Sequence, residues 1–463
     1  MNLWRVVVAA LLACGLGTYI YLIERPRINS EYEQDLLLRF DPADVAALRL
    51  RYPEEPAIRL DRDGSGWRIT EPFAAEADDA TVDSLLQQIH ETAAERRIPA
   101  AEAQGLSTYG LAADGERARI AITLRDGRAL PDIIVGDSTP VGFQAFARLE
   151  GSEEIIVTPL ILHTGVRKSL FELRDKRLFA IDQGAIATLR IGSRAGPIVL
   201  ERTEGRWWIT RPLRDRADAN QVQTLLAALS NLEALAFYDE TDRRRTVDIA
   251  DPVLELQIVF ADGSEKGLRV GSKATDSPEG YFAERLPDGQ EAKVPEWITA
   301  RFGVQVDALR DKRLFDCDPQ DIARMRFHRN DGRGFVLSES KDGTWLLDPP
   351  ANRVVKPLLA TRRRNGLATV TGTTIVAENV MSPDGLAAYG LDDPAIDVEI
   401  TSRDGRSCGR AIGGAMGTNT ESPTYYVKRA GDGIVMSLPE YLYSRLNALP
   451  DEFLSDAHAA SDE

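Results

Sequence analysis

The sequence has few residues of the types on which most metal and catalytic sites depend. It contains three cysteines and four histidines in 463 residues, and no CxxC, HExxH or HxxxH spacing joins them. A zinc site needs such ligands at short, regular spacings, so none is predicted. GxxxxGK[ST], GxSxG and a GxGxxG after a strand are also absent. The sequence therefore predicts a non-enzymatic chain with no catalytic residue, no metal and no cofactor.

The sequence has fewer basic than acidic residues. Lys and Arg together number 56 against 72 Asp and Glu, which gives a formal net charge of -16. A nucleic-acid binder needs a basic face to neutralise phosphates, so nucleic acid is not predicted as a partner. The 43% hydrophobic and 28% charged residues are ordinary for a folded globular protein. The length indicates about three domains.

The cysteines lie far apart in the sequence. Cys14 lies in an N-terminal apolar run, whereas Cys317 and Cys408 are in the second half of the chain. So few cysteines fit either the cytoplasm or the bacterial periplasm. A disulfide between Cys317 and Cys408 stays open, but separate thiols are the preferred interpretation because the sequence does not show the geometry that a disulfide requires.

One long hydrophobic run, at 6–23, follows the N-terminal MNLWR. It carries no charge, and as a helix it would be about 27 Å long, close to the roughly 30 Å hydrocarbon core of a bilayer. Trp4, Tyr19 and Tyr21 lie near its ends, where aromatic rings favour the interface. We therefore expect a single membrane anchor at 1–30; the flanking charges do not predict its orientation.

Two alternatives to an uncleaved anchor stay open. LLAC at 11–14 resembles a lipoprotein cleavage box with Cys14 as the lipidation site, and a cleaved secretory signal would also begin with an apolar run. Apolar residues continue for nine positions after Cys14, and this continuation favours the uncleaved anchor.

Three copies of one pattern follow this run. W-R-I-T-E-P begins at Trp67, W-W-I-T-R-P at Trp207 and a weaker W-L-L-D-P-P at Trp345, so the tryptophans lie 140 and 138 positions apart. Asp-Gly turns recur with the same period. The predicted divisions are the anchor at 1–30, repeat units at 36–180, 181–316 and 317–455, and a disordered acidic tail at 456–463.

Each unit mixes strands with helices. The segment 57–70 alternates apolar and polar residues across a glycine turn, which predicts a hairpin. Asp78 is then predicted to cap a helix, and Asp218 to cap its counterpart. Four apolar residues at helical spacing form the buried face of the first helix: Val82, Leu85, Leu86 and Ile89.

In the third copy Asn352 is the candidate cap, and Pro357 predicts a shifted or kinked helix. Short strands follow in each unit, and a final helix is expected at about 159–176. The predicted fold class is α+β: an N-terminal transmembrane helix followed by three tandem repeats of mainly antiparallel sheet with covering helices.

The heptapeptide LRDKRLF occurs at 173–179 and again at 309–315. We interpret it as a structural joint that ends one unit, with its positive charges at a helix C-terminus, and leads into the next. A duplicated site for an anionic group is the alternative, because Arg and Lys can hold such a group. Its candidate residues are Arg174, Lys176 and Arg177 in the first copy and Arg310, Lys312 and Arg313 in the second.

The tryptophans are further candidates. Trp67, Trp207 and Trp345 could stack on a sugar or lipid, but their recurrence at one place in every unit favours core packing. The arginine triplets at 243–245 and 362–364 are interpreted as solvated faces, with contact to lipid headgroups or an anionic partner as the alternative. Paired carboxylates and His163 are given structural rather than catalytic roles.

With the apolar run, the W-x-I-T-x-P hairpins, LRDKRLF and the Tyr-Gly-Leu turns at 109–111 and 389–391 in view, the chain resembles a bacterial family. It is similar to the membrane-anchored proteins known as domain of unknown function 4340. The middle copy departs from the pattern, with Asp248-Ile249 in place of Gly-Leu. Members typically occur beside the permease and ATPase of ABC transporters of the gliding-motility type. The resemblance implies an accessory role on the periplasmic side and supplies no catalytic residues.

The expected function is therefore that of a single-pass protein of the bacterial inner membrane. Its units would form a periplasmic accessory or scaffold subunit of an ABC-type transport system, with the permease and ATPase subunits as partners. The alternative is a periplasmic binding module for an envelope glycan, lipid or peptide. An enzyme of unrecognised type, the third class, would require carboxylates clustered in one cleft.

Overall fold

The computed structural model of the chain describes residues 36–454, apart from 65, 239–248, 350–352 and 417–423. The expected membrane anchor at 1–30 and the acidic tail at 456–463 lie outside these residues. Within the described part, no helix is both long and apolar enough to span a membrane.

Three nine-stranded antiparallel sheets account for most of this structure, one in each repeat. The fold is thus α+β and mostly β, and it has the predicted repeats. The first unit contains β1 (Val45–Arg51), β2 (Ile58–Asp63), β3 (Gly66–Glu71), β4 (Ala75–Glu76), α1 (Asp79–His90), β5 (Arg96–Ile98), β6 (Ala118–Leu124), β7 (Ile133–Ser138), β8 (Gln144–Leu149), β9 (Ile155–Pro159), α2 (Leu160–Gly165) and α3 (Leu170–Leu173).

The other two units repeat this order. The second contains β10 (Ile186–Ser193), β11 (Gly196–Thr203), β12 (Arg206–Arg211), β13 (Asp215–Arg216), α4 (Ala219–Ser230), β14 (Ala236–Tyr238), β15 (Leu254–Phe260), β16 (Glu265–Ala274), β17 (Gly280–Leu286), β18 (Gln290–Pro295) and α5 (Trp297–Phe302). The third contains β19 (Ile322–Arg329), β20 (Phe335–Glu339), β21 (Trp345–Asp348), β22 (Arg353–Val354), α6 (Pro357–Ala368), β23 (Thr374–Ala377), α7 (Pro383–Ala387), β24 (Ile396–Ser402), β25 (Ser407–Met416), β26 (Thr424–Arg429), β27 (Val435–Pro439) and α8 (Glu440–Leu446).

The strand order places a helix across each sheet. In the first unit the order is β4-β3-β2-β1-β6-β7-β8-β9-β5, so β4 and β5 form opposite edges. Helix α1 connects these two edges and therefore crosses one face of the sheet. Its apolar side and that face enclose the main core of the unit, as expected for a helix packed on a half-buried sheet.

The capped helices confirm the prediction from spacing. Asp78 precedes α1, and its side chain accepts a hydrogen bond from the Thr81 backbone N–H at 3.0 Å. Asp218 does the same for α4. The four predicted apolar residues of α1 are buried. In the third unit the helix is shifted, as Pro357 predicted: it begins at that proline, whose fixed φ suits the first turn. Asn352 lies outside the described residues.

The single helix predicted at 159–176 was wrong. Two short helices, α2 and α3, lie there instead, and Ser169 begins the second with a capping box to Glu172. From Arg174 the backbone is extended, with φ -84° and ψ 142°. The charges of LRDKRLF therefore do not sit on the last turn of a long helix; the segment leaves α3 as a strand-like connection.

The Tyr-Gly-Leu turns pack on the other face of the sheet. Gly110 and Gly390 adopt φ of +66° and +63°, which favours glycine. A Cβ at Gly136, on β7, would collide with the carbonyl oxygen of Tyr109, so the turn lies directly on the strand. The Tyr109 ring meets Phe146 edge-on at 4.8 Å. These contacts form a second, smaller core.

Cys317 and Cys408 form a disulfide with a Cα–Cα distance of 5.3 Å. The preferred interpretation of separate thiols was therefore wrong. The two residues meet because the chain entering the third unit runs beside β25, where Asp316 N–H donates to the Cys408 carbonyl at 2.7 Å. This pairing joins residues 91 positions apart, which spacing alone could not show.

Candidate functional site

The tryptophan hairpins lie in the cores. Trp67 and Trp345 are each 2% exposed, and Trp207 packs partly buried against the second core. The Trp67 indole N–H donates to Asp83 at 2.9 Å, and the Arg62 guanidinium lies 4.4 Å from its ring. Trp67 and Trp345 thus lie where the packing interpretation placed them, and they offer no open face for stacking on a ligand.

Each LRDKRLF segment, which we call a joint, pairs with the units on both of its sides. In the first joint Asp175 N–H donates to the Glu76 carbonyl at 3.0 Å, and the Lys176 carbonyl accepts from Ala234 N–H at 2.8 Å. The second joint repeats both bonds with its own neighbours. Leu173 belongs to the first core, whereas Leu178 and Phe179 belong to the second. The joint is therefore an extended connection that forms one isolated β-bridge with each of its two neighbouring units.

The charged side chains of the first joint bind within the protein. Arg174 is only 8% exposed; its guanidinium lies 3.7 Å from the Phe237 ring centroid and donates to Gln290 at 2.8 Å. Arg177 forms an ion pair with Asp175 at 2.8 Å. Lys176 donates to the Glu172 carbonyl at 3.3 Å. Arg174 thus fastens the joint to the second unit.

In the second joint Arg310 has an acidic environment. Its side chain is 2% exposed, and it contacts Asp215 at 2.6 Å, Glu378 at 2.6 Å and Asp307 at 3.2 Å. Burial lowers the pKa of this guanidinium, but the hydrogen bonds to the carboxylates outweigh burial and raise it. Arg313 pairs with Asp311 at 2.9 Å, and Lys312 is half-buried. The structure therefore brings the six predicted residues together in two joints, three in each.

Acid is expected to weaken the second joint. Burial alone would raise the pKa of Asp311, but hydrogen bonds from Arg313 outweigh it and hold the pKa below its ordinary value. A carboxyl with a lowered folded-state pKa stabilises the fold above its unfolded pKa of about 3.9, and this stability is lost as the pH falls. Thermal unfolding between about pH 7 and pH 3 should show a falling midpoint, with a shallower slope for Asp311→Asn. Asp175→Asn should change the slope less, because the Asp175 side chain is 20% exposed whereas that of Asp311 is 3% exposed. An unchanged slope in Asp311→Asn would contradict this assignment.

One exposed apolar residue recurs at the same place in all three units. It is the second residue after the proline that ends the last long strand: Ile161 is 60% exposed, Trp297 41% and Tyr441 66%. The pattern is P-L-I-L, P-E-W-I and P-E-Y-L in the three copies. Sequence reasoning missed it, although this repeated tetrapeptide was available as a signal.

The first unit extends this position into a patch, the first-unit apolar patch of Val141, Phe143 and Ile161. Val141 and Phe143 are 86% and 87% exposed. Their loop is closed by Thr139 N–H donating to the Gln144 carbonyl at 3.0 Å, and the Phe143 carbonyl accepts from Leu160 N–H at 2.8 Å. Side chains this apolar and this exposed are typical of an interaction surface.

In the second unit, Trp297 is exposed at the matching position, but charged residues replace the apolar loop beside it. There Lys273 lies 2.5 Å from Glu296 and 3.1 Å from Glu279. The patch therefore distinguishes the first unit from the second. Across the described residues, no three His, Cys, Asp or Glu side chains are grouped so that they could hold a metal ion.

A family model described as Domain of unknown function (DUF4340) matches residues 67–246 and 242–363. The chain belongs to this family. The resemblance drawn from its motifs is thus confirmed, and the family description assigns no activity. Each of the two matches contains one joint, with parts of both adjoining units. No curated protein matches this DUF4340 protein.

Proposed function

We propose that this DUF4340 protein is a non-enzymatic, single-pass protein of the bacterial inner membrane. Its three units lie in the periplasm and serve as an accessory or scaffold subunit of an ABC-type transport system of the gliding-motility type. The observation that carries the proposal is the first-unit apolar patch, because it offers a protein partner a contact surface held in place by the fold.

Two further features support the location. The Cys317–Cys408 disulfide is of a kind that persists in oxidising compartments such as the periplasm. The hydrophobic run at 6–23 directly precedes the first unit. The linking residues 24–35 reach at most about 40 Å when fully extended. In this proposal the unit that carries the patch is tethered within that distance of the membrane, where a permease would meet it.

The test is affinity purification of the full-length chain from native membranes in mild detergent, followed by mass spectrometry. Recovery of an ABC permease with its ATPase is expected. A chain lacking residues 1–30 serves as the control for anchoring. Recovery of the intact chain without any transporter subunit would overturn the proposal.

The patch itself is tested by Phe143→Ser. Because Phe143 is 87% exposed, the substitution should leave the thermal midpoint within about 1 °C. Transporter recovery should nevertheless fall at least about fivefold, corresponding to the loss of roughly 1 kcal/mol at a contact. Tyr441→Ser, at the matching exposed position of the third unit, is the matched control and should keep full recovery. Equal recovery of transporter subunits with the unmodified chain, Phe143→Ser and Tyr441→Ser would show that the patch is not part of the interface.

One observation favours the second candidate function, a periplasmic binding module for an envelope glycan, lipid or peptide. A groove opens between α6 and α8 of the third unit. The two functions are compatible in one chain, since the groove and the patch lie in different units.

A further inference from the structure

The third unit contains a groove of about 1000 Å³, at the upper end of the range of small-molecule sites. Helix α6 forms one wall and α8 the other. The residues used below are Leu358, Arg362, Gly366, Tyr441, Arg445 and Phe453, all of which line it.

At the groove, the third unit reverses a side-chain contact that the first unit makes between the corresponding helices. Backbone bonds align the two copies: Ala77 N–H donates to the Trp67 carbonyl, as Val355 N–H does to that of Trp345. Counted from these residues, Gln88 corresponds to Gly366.

In the first unit the Gln88 amide crosses to α2. It donates to the Ile161 carbonyl at 2.5 Å and occupies the space beside Gly165. In the third unit the two residue types are exchanged: Gly366 has no side chain, and Arg445, which corresponds to Gly165, runs past it with its Cδ 3.8 Å from where a Gly366 Cβ would lie. An arginine thus replaces the amide bridge, and the groove opens beside it.

The covering helix of the third unit has also exchanged leucines for arginines. Leu85 and Leu86 are buried in α1, and the corresponding leucines are buried in α4. Arg363 and Arg364 take these places in α6, which buries only Ala360 and Leu367. The helix that covers this sheet therefore brings positive charge to a place that is apolar in the other two units.

Arg363 holds the two walls together. Its guanidinium donates to the carbonyls of Ser444 and Arg445 at 3.0 and 2.7 Å and pairs with Glu452. Burial lowers the pKa of Arg363, and Glu452 opposes the shift. Because Glu452 is already paired with Arg363, this carboxylate does not neutralise the other arginines that line the groove.

Two arginines remain for a ligand. Arg362 is exposed, and among the described residues the Arg445 side chain donates only to the Thr369 hydroxyl, at 3.0 Å. Neither is paired with a carboxylate in the described part of the chain. Beside them Leu358 is 77% and Tyr441 66% exposed. In a protein of net charge -16, this combination of free guanidinium groups and open apolar surface is complementary to a ligand with an anionic head and an apolar tail.

We propose that the groove binds an anionic amphiphile, a phosphate-bearing lipid. Arg362 and Arg445 hold the phosphate, and the acyl chain lies along Leu358, Tyr441 and Phe453. This site goes beyond the accessory role proposed above and does not depend on it, because the groove is built entirely within the third unit.

The binding test is isothermal titration calorimetry on the full-length chain held in a nonionic amphipol. Three soluble probes are compared: dihexanoyl phosphatidylglycerol, dihexanoyl phosphatidylcholine and inorganic phosphate. Saturable binding of the phosphatidylglycerol is expected, at least tenfold tighter than either of the others. Equal affinity for the phosphatidylcholine would overturn the role of the arginines, and equal affinity for phosphate would overturn the amphiphile.

Two variants distinguish a loss of ligand binding from a loss of folding stability. Gly366→Gln puts the side chain of Gln88 at the corresponding place in the groove, next to Arg445. A Cβ there would lie 3.8 Å from the Arg445 Cδ, an ordinary contact, so this variant should melt no lower than the parent while losing at least tenfold in affinity. Arg362→Gln combined with Arg445→Gln should show the same loss. Arg301→Gln is the matched control, because Arg301 is exposed at the position of the second unit that corresponds to Arg445. Undiminished binding by Gly366→Gln would overturn the proposal.

Discussion

Replacing Arg310 with methionine is expected to destabilise the contact between the second and third units by about 3 kcal/mol. Methionine keeps most of the volume but removes the charge, which leaves Asp215, only 11% exposed, without the cation that contacts it at 2.6 Å. An unpaired buried carboxylate is strongly unfavourable. Glu378 and Asp307 are 43% and 57% exposed and should add little, because water screens them.

The measurement is denaturant unfolding followed by hydrogen exchange of the backbone at both joints. Arg177→Met is the comparison in the other joint, where the guanidinium is 57% exposed and pairs with Asp175 at 2.8 Å. Its expected effect is at most about 1 kcal/mol, because water screens this exposed ion pair. Adding Asp215→Asn to Arg310→Met should restore part of the loss. Equal effects of the two single substitutions would show that the carboxylates do not determine the stability of the second joint.

Reduction of the Cys317–Cys408 disulfide is expected to lower the free energy of unfolding of the third unit by about 4 kcal/mol. The bond closes a loop with a sequence separation of 91, and a loop of this length removes much conformational entropy from the unfolded chain. Guanidinium unfolding with and without reductant measures the change, and Cys317→Ser combined with Cys408→Ser should reproduce it. The transitions of the first two units should not move.

The same bond also tests the proposed location. Thiol trapping on intact cells, followed by mass spectrometry of the Cys317 and Cys408 peptides, reports whether the pair is oxidised where the protein works. An oxidised pair is expected in the periplasm. Reduced thiols in both the freshly made and the mature chain would count against the periplasm. In the unfolding experiment, an unchanged guanidinium midpoint after reduction would contradict the stabilising role of the disulfide.

Elements that depend on neighbouring residues were predictable. The hairpin over 57–70 became β2 and β3 because alternation and a glycine turn act within a few residues. The cap at Asp78 and the apolar side of α1 also followed from spacing. By contrast, the single helix predicted at 159–176 was wrong: two short helices lie there, and from Arg174 the chain is extended and forms one bridge with each of the two adjoining units.

The two joints show why identical sequences do not form identical sites. Arg174 and Arg310 hold the same place in the same heptapeptide. One stacks on Phe237 and the other contacts three carboxylates. These partners come from elements as far as 116 residues away in sequence, so the local sequence carries no information about them.

The sequence by itself determined the period, the number of units, the helix caps and the presence of a joint between copies, because each depends on residue type within one short segment. Only the tertiary structure decided that Cys317 meets Cys408, which apolar residues stay exposed at the unit surfaces, and that Arg445 passes Gly366 in the third unit where Gln88 passes Gly165 in the first. Each of these depends on which distant segments pack together, and in a repeat protein a single changed side chain at such a contact gives one copy a surface that the others lack.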